Sequence, residues 1–361
     1  MSLNFRFAIA SDLHIALSHT IWDHPHRFHL VEASIPALEL VLEHLAECDI
    51  DFLLLPGDLT QDGEIDNHVW LSERLAKLPY PVYVVPGNHD VPLSVGNEQV
   101  TGLSDFSRYY HRFGYDNINQ LYYTHEIFPG VRLIGLNSNI FDETGKQIGC
   151  LDQQQLDWLQ AVLERTTDEF VMVMLHHNVI EHLPGQATNP LGRRYMLQNA
   201  PQLLEILDQA NVQLLFTGHL HVQDIAQWQN IYEITTGSLV SYPHPYRILN
   251  LRTEPNGKQV LHIESHRITS VGGWPDLPEQ SRERIADHSL PFMTKLLTSP
   301  PLSLPQEEAV QFAPDLRYFW ADVAEGDAEL HFPKFPTPVR RYFEAFSRER
   351  AIDNNTSLRL S

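Results

Sequence analysis

Short runs of consecutive apolar residues alternate along this chain with longer stretches in which apolar positions recur every three or four residues. Phe5 to Ala10, Asp51 to Leu55 (DFLLL) and Pro81 to Val85 (PVYVV) each predict a strand buried on both faces. Between them, Leu30 to Cys48 places Val31, Ile35, Leu38, Leu42 and Leu45 on one side of a helix, and His68 to Leu78 gives a shorter amphipathic segment. Strand, helix, strand, helix, strand is the opening of an α/β fold.

Val131 to Leu136 and Phe170 to Leu175 predict two more strands around a helix from Leu151 to Arg165, with Asp152 as its cap. Gln202 to Ala210 predicts another helix, and Val212 to Phe216 a strand that ends at Thr217. Strands follow at Ile231 to Thr236, Arg247 to Arg252 and Gln259 to Arg267, the last two joined as a hairpin through EPNGK. From about Gly272 proline interrupts shorter segments, in PDLPEQ, SPPLSLP and FPKFPTP. The expected division is a body over residues 1–271 and a Pro-rich C-terminal extension over 272–361 that covers the body or mediates self-association into a homo-oligomer. Phe312, Tyr318, Phe319 and Trp320 in that extension are expected to dock on the body or on a second subunit.

Composition narrows the partners. Hydrophobic residues make up 43% of 361, ample for a sizeable core. Twenty-five Lys and Arg against 46 Asp and Glu give 25 − 46 = −21, a charge that opposes binding to a nucleic-acid polymer or an anionic membrane. A small phosphate ester is not excluded, because metal ions inside a cleft reverse the local field. Cys48 and Cys150 are too few for a disulfide scaffold and are not spaced as a metal knuckle, so reduced thiols are expected. MSLNFRFAIASD lacks the plan of a signal peptide, and no run reaches the length of a membrane span. The expectation is a cytoplasmic protein.

Candidate metal ligands sit where the predicted strands end. IASDLH leaves Asp12 and His14 after the first, LLLPGDLTQDG leaves Asp58 after the second, and VVPGNHD leaves Asn88, His89 and Asp90 after the third. MLHHN supplies His176 and His177, and LLFTGHLH supplies His219 and His221. In open α/β sheets ligands collect beyond the carboxyl ends of the strands, so five segments converge on one cleft. Carboxylate, imidazole and amide donors suit first-row divalent ions. In Asp12-Leu13-His14 and His219-Leu220-His221, extended geometry would turn both outer residues of each triplet to the same side. Asp58 is the natural bridging carboxylate, since Gly57 relieves crowding beside it.

Each motif has an ordinary explanation when taken alone: Asp12 or Asp58 capping a turn, Gly57 and Gly87 serving as turn glycines, Asn88 satisfying its own backbone. The ordered set outweighs these. The histidines His19, His24, His26 and His29, with Trp22 among them, read as a solvated loop, with a substrate entrance as the alternative. Tyr242 and His244 read as packing residues or substrate contacts.

The motifs DLH at Asp12, GDLTQDG at Gly57, GNHD at Gly87, the histidine at His176 and GHLH at Gly218 together resemble the calcineurin-like metallophosphoesterase superfamily. The likeness spans roughly the first three-quarters of the chain, and within the superfamily it is nearest to the bacterial cyclic-nucleotide phosphodiesterase-like (class III) and glycerophosphodiesterase branch. It implies a four-layer α/β/β/α sandwich. It also implies one ion held by Asp12, His14, Asp58 and His221, a second held by Asp58, Asn88, His176 and His219, and His89 as the acid. Asp90 would orient His89 or its loop, and Asn88, His89 and His177 would meet substrate.

The reaction implied is dinuclear metal-dependent hydrolysis of a small phosphodiester, first a 3',5'-cyclic nucleotide and second a glycerophosphodiester. Mn or Fe is the expected metal, with Zn or Co also compatible. A phosphomonoesterase or nucleotide pyrophosphatase, and a non-catalytic metal-binding module, are the competing readings. Gln61 and Asp62 stand where protein phosphatases carry aspartate and arginine, and no tyrosine near Asp58 supplies the ligand of a purple acid phosphatase. Asn178 stands where the branch commonly has proline, and Leu136-Asn137-Ser138 where an LDS form is common.

Overall fold

The computed structural model describes residues 2–22, 27–166, 168–348 and 352–360. In chain order the strands of the first half are β1 (Asn4–Ile9), β2 (Phe52–Leu55), β3 (Val82–Val84), β4 (Tyr123–Phe128), β5 (Val131–Gly135), β6 (Asn139–Phe141) and β7 (Gln147–Gly149). Those of the second half are β8 (Phe170–Met174), β9 (Leu214–Thr217), β10 (Asp224–Trp228), β11 (Ile231–Thr235), β12 (Pro245–Thr253), β13 (Gln259–Arg267) and β14 (Thr356–Leu360).

Two six-stranded sheets carry the fold, in the orders β14-β13-β12-β1-β2-β3 and β10-β11-β9-β8-β5-β4. β1, β2 and β3 run parallel, as do β5, β8, β9 and β11, with antiparallel strands at the edges. The parallel strands are buried along nearly their whole length, which is why they read in the sequence as unbroken apolar runs. The sheets face each other through large side chains: Phe7 of β1 stacks on Phe52 at 4.9 Å and meets Phe216 of β9 edge-on at 5.6 Å.

Helices Ser34–Glu47 and Ile65–Leu75 close the outer side of the first sheet, and Gln153–Leu163 and Ala200–Gln209 pack on the second. The result is the four-layer α/β/β/α sandwich, with the C-terminal ends of β1, β2, β3, β8 and β9 opening on one rim. Asp152 does cap its helix, its carboxylate accepting the Gln155 N–H at 2.7 Å.

The chain beyond 272 forms helices Leu277–Thr298, Gln306–Phe312, Phe319–Ala324 and Thr337–Glu344 and then returns to the body, where β14 pairs antiparallel with β13. Its apolar side chains make a third core, anchored on Leu220 and Val222 of the loop after β9. Phe319 and Trp320 dock there, over the same rim. Among the described residues no helix is long and apolar enough to cross a membrane.

Candidate metal centre

Backbone geometry at the rim differs from the extended form expected for the two triplets. Asp12, His14, Asp58, His219 and His221 all lie in the left-handed region, with φ of 50°, 42°, 48°, 67° and 58°. Residues with a Cβ seldom occupy that region, and Asp and His are among those that do. The chain curls at each strand end instead of continuing, and the curl is what turns the side chains inward. Gly57, at φ +95°, is placed so that a Cβ would stand 2.5 Å from His176 Nδ1. At Gly87 a Cβ would come 2.1 Å from the Asp58 amide nitrogen. Both motif glycines permit loops to touch.

The donor atoms form two clusters that share one oxygen. Asp58 Oδ2 lies 3.3 Å from His176 Nε2 and 3.9 Å from His14 Nε2. On one side His14 Nε2 and His221 Nε2 approach to 3.4 Å, and His221 Nε2 stands 3.0 Å from Asp12 Oδ1. On the other, His176 Nε2 stands 3.1 Å from His219 Nδ1 and 3.2 Å from Asn88 Oδ1. All seven residues expected as ligands are thus brought together.

Second partners select the donor nitrogen. The His176 Nδ1–H donates to the Pro56 carbonyl at 2.8 Å, which directs Nε2 at Asp58; against the cost of burial, the Asp58 carboxylate raises the metal-free ring's pKa to about 9. His219 Nε2 lies 3.4 Å from the Arg194 carbonyl, leaving Nδ1 inward. His14 Nε2 faces His221 Nε2, and His176 Nε2 faces His219 Nδ1, nitrogen to nitrogen, each pair set to meet at one ion. Adjacent donors of a tetrahedral ion with bonds of about 2.0–2.1 Å are separated by roughly 3.3 Å, so the set fits two ions. Burial and the neighbouring His89 keep His14 well below its ordinary pKa, in the neutral form that a ligand requires. Against the cost of burial, His176 and His89 hold the Asp58 carboxyl well below its ordinary value.

His89 faces the same cavity. Its Nδ1 is 2.8 Å from the Gln61 carbonyl and 2.9 Å from Asp62 Oδ1, two acceptors that fix the proton there and leave Nε2 for a ligand. Burial lowers its basicity, but the Asp58 and Asp62 carboxylates raise the pKa to about 10.

Asp90 has another task. Its carboxylate accepts the amides of Leu59, Thr60 and Gly87 and the Thr60 hydroxyl, at 2.8 to 3.1 Å, tying the Asp58 loop to the Asn88 loop. That is the loop-orienting alternative expected of Asp90, whose carboxylate is spent on these loops. The carboxylate that meets the His89 ring is Asp62, inside GDLTQDG, which the sequence did not single out.

His177 lines the cavity, but its Nδ1 is engaged with Ser138 Oγ at 2.8 Å, and burial pushes it down to about 3. Asn178, the departure from proline, earns its place below the site. Its Nδ2 donates to Thr217 Oγ1 and the Gly218 carbonyl, linking the His176 and His219 loops. Glu233, fully buried, accepts from Val179 N, Ile180 N and Thr217 Oγ1 and braces the same junction.

The histidines after the first loop divide. His19 is exposed and pairs with Asp66, and Trp22 is exposed, as a solvated loop requires; His24 and His26 lie outside the described residues. His29 departs from the solvated-loop reading and falls on its alternative, the substrate entrance: it lines the cavity, with its ring centroid 4.5 Å from that of His14 and 4.6 Å from that of His221, and the three rings could share an ion. Nothing in the sequence distinguished it from its neighbours. His244 is a buried packing residue bonded to the Leu239 carbonyl, and the Tyr242 hydroxyl donates to Glu325.

Residues 5–223 match the calcineurin-like phosphoesterase family. The chain belongs to that family. It is 30% identical over 223 residues to a probable glycerophosphodiester phosphodiesterase of Arcobacter nitrofigilis, covering 60% of this chain and 72% of the relative. It is 23% identical over 244 residues to a 3',5'-cyclic adenosine monophosphate phosphodiesterase of Haemophilus influenzae, covering 64% and 80%. A dimetal phosphatase from Danio rerio shares the fold, with a TM-score of 0.51 at 16% identity over 73% of this chain and 96% of that one. The protein is a metal-dependent phosphoesterase, and its family accounts for both donor clusters.

Proposed function

We propose that this phosphoesterase hydrolyses a small phosphodiester to a phosphomonoester and an alcohol, with 3',5'-cyclic nucleotides the first substrates to test and glycerophosphodiesters the second. The observation that carries the diester reading is the charge of the cavity wall. Among the described residues that line it, Arg194 is the single lysine or arginine, and the only other cation is His89, the proposed acid. A diester brings one negative charge, whereas a monoester or pyrophosphate brings more and calls for further cationic contacts. The names of the two relatives support the same reading.

Asp12, His14, Asp58 and His221 are assigned to one ion, with His29 beside them, and Asp58, Asn88, His176 and His219 to the other. Two divalent ions held by these residues would supply activation of water and charge neutralisation at the phosphoryl oxygens. Mn or Fe suits the mixed oxygen and nitrogen donors, as do Zn and Co.

The remaining chemistry belongs to the chain. As the oxygen of water bonds to phosphorus and the bond to the departing alcohol breaks, His89 gives its Nε2 proton to the alkoxide. Asp62 and the Gln61 carbonyl hold the ring for that transfer. Asp90 acts through the loops it ties together. The free thiols Cys48 and Cys150 agree with a cytoplasmic setting.

The test is a panel of cyclic nucleotides, glycerophosphodiesters and bis-p-nitrophenyl phosphate, assayed with added Mn²⁺ and with chelator. Turnover that appears with metal and vanishes with chelator is expected. Metal-dependent turnover of phosphomonoesters alone, or of nothing, overturns the proposal.

A further inference from the structure

The cavity over the metal centre encloses about 500 Å³, within the range of sites for small ligands. Its floor is the histidine and carboxylate set. Its opposite wall comes from the C-terminal helices, which lie outside the residues matched to the family. Ile285, Phe292 and Leu296 contribute from helix Leu277–Thr298, Phe319 and Trp320 from helix Phe319–Ala324, and Phe346 from just beyond helix Thr337–Glu344. Leu183 and Leu191 continue the apolar surface from the loop after β8.

Most polar side chains on these walls spend part of their bonding capacity within the protein, Ser241 excepted. Ser289 Oγ donates to the Ala286 carbonyl of its own helix, and the Tyr242 hydroxyl donates to Glu325. Gln147 Nε2 donates to the Asn88 and Val91 carbonyls. Gln186 accepts the His182 and Leu183 amides through Oε1 and donates to Asn178 through Nε2. Asn189 caps a helical turn by accepting the Leu191 amide. Arg194 turns one nitrogen to the Tyr195 hydroxyl, with its guanidinium 4.7 Å from that ring, and its remaining N–H groups serve the phosphate. Ser241 Oγ is buried without a partner, a single hydroxyl. A nucleobase edge or a glycerol unit turned toward Ile285, Phe292, Leu296 and Phe319, away from Ser241 and Arg194, would lose water and gain few bonds in return, a net cost. A hydrocarbon group loses nothing polar and covers partly exposed aromatic surface.

We propose that this wall receives the apolar alcohol of a phosphodiester, so that the preferred substrate is amphipathic, with phosphate at the histidine floor and hydrocarbon against the C-terminal helices. The proposal rests on the phosphodiester reading and adds the substrate class that the relatives' names do not supply. Specificity then resides in the segment beyond residue 272, while the chemistry resides in the family body.

The test holds the leaving group constant. In a series of p-nitrophenyl phosphodiesters, water bonds to phosphorus, p-nitrophenolate leaves with its bonding pair, and the second alcohol stays on the phosphomonoester product. That second alcohol is methanol, butanol, glycerol or a nucleoside. Each buried methylene is worth about 0.8 kcal/mol, roughly fourfold, so kcat/KM is expected to rise about 10- to 60-fold from methyl to butyl. The glyceryl ester should fall near the methyl ester despite its size. Phe292→Asn should flatten the butyl-to-methyl ratio and Phe292→Leu should preserve it. Thermal melting of each variant establishes that it is folded, and Trp320→Gln provides a second probe of the same wall.

Equal rates for methyl, butyl and glyceryl esters overturn this proposal and leave the diester reading standing, as does a nucleoside ester that outruns butyl. A ratio untouched by folded variants at both Phe292 and Trp320 overturns the placement of the hydrocarbon. Failure of every diester in the presence of metal overturns both readings.

Discussion

Asp62 Oδ1 stands 2.9 Å from His89 Nδ1, one of several hydrogen bonds that join the loops of the two residues. Another is the His89 amide, which donates to Asp58 Oδ1 at 2.8 Å. The segment that presents the carboxylate shared by both donor clusters therefore also orients the proposed acid. A displacement of the Asp58 loop moves ligand and proton donor together, which keeps the site aligned without a separate scaffold.

His89→Ala should lower kcat by about 10²- to 10⁴-fold for a diester with an alkyl leaving group. The loss should be much smaller for p-nitrophenyl esters, because nitrophenolate departs without help from an acid. Metal content, measured by elemental analysis, should hold. Asp62→Asn keeps an acceptor for Nδ1 and should fall between wild type and His89→Ala. A loss of equal size for both leaving groups would mean that His89 serves binding instead of proton transfer.

The sequence displayed the parts of the fold that are buried on both sides and the ligands that follow them. DFLLL and PVYVV announce β2 and β3 because parallel strands between two layers have no polar face to interrupt the run. β4, at a sheet edge and half open, mixes Thr, His and Glu with its apolar residues and gives no such run. β14 was hidden for another reason: its partner β13 is about ninety residues away in sequence, and TSLRL alone does not say what it pairs with. The seven candidate ligands were legible because chemistry fixes their types at motif spacing. His29 and Asp62 were not, since the roles proposed for them come from three-dimensional proximity and each lies among residues of the same type or in a motif already explained. The left-handed turns at Asp12, His14, Asp58, His219 and His221 leave no mark in composition either.

His29→Ala tests whether the fifth imidazole near the first cluster matters to the ion. Outer partners and extra donors at metal sites typically change affinity by about 10- to 100-fold. After dialysis against a metal buffer, the variant is expected to lose the ion held by His14 and His221 and keep the one held by His176 and His219. In Zn-loaded protein, X-ray absorption should count one fewer imidazole per molecule. Unchanged stoichiometry and imidazole count would reduce His29 to a packing partner of the two rings.

Glu233→Ala should be severe although Glu233 touches no proposed ligand. Its removal leaves the Val179 and Ile180 amides and the Thr217 hydroxyl buried without acceptors. Breaking a buried charged network of this kind costs about 3–5 kcal/mol. Urea unfolding should show the loss, and kcat should fall with it as the His176 loop relaxes. Glu233→Gln retains one carbonyl acceptor and should lose less. A Glu233→Ala protein as stable as wild type would show that water replaces the carboxylate.

His68 gives the acid limb of stability a specific contributor. Its Nε2–H donates to the Asp90 carbonyl at 3.0 Å, which makes Nδ1 the acceptor of the Tyr110 hydroxyl at 2.9 Å. Both nitrogens are committed to the neutral ring, and burial brings its pKa down to about 4 from an ordinary 6.5. The unfolded chain therefore takes up a proton as pH falls below 6.5, while the folded protein does not until about pH 4. Proton uptake by the unfolded state removes stability across that window, and nothing further is lost below it. The shift corresponds to a contribution on the order of 3 kcal/mol. His68→Gln can make both hydrogen bonds without titrating. In metal-free protein unfolded by urea at pH 8, 6 and 4.5, wild type should lose stability more steeply than the variant, so that the two curves lie close at pH 8 and separate toward low pH. Parallel curves would place the acid sensitivity elsewhere.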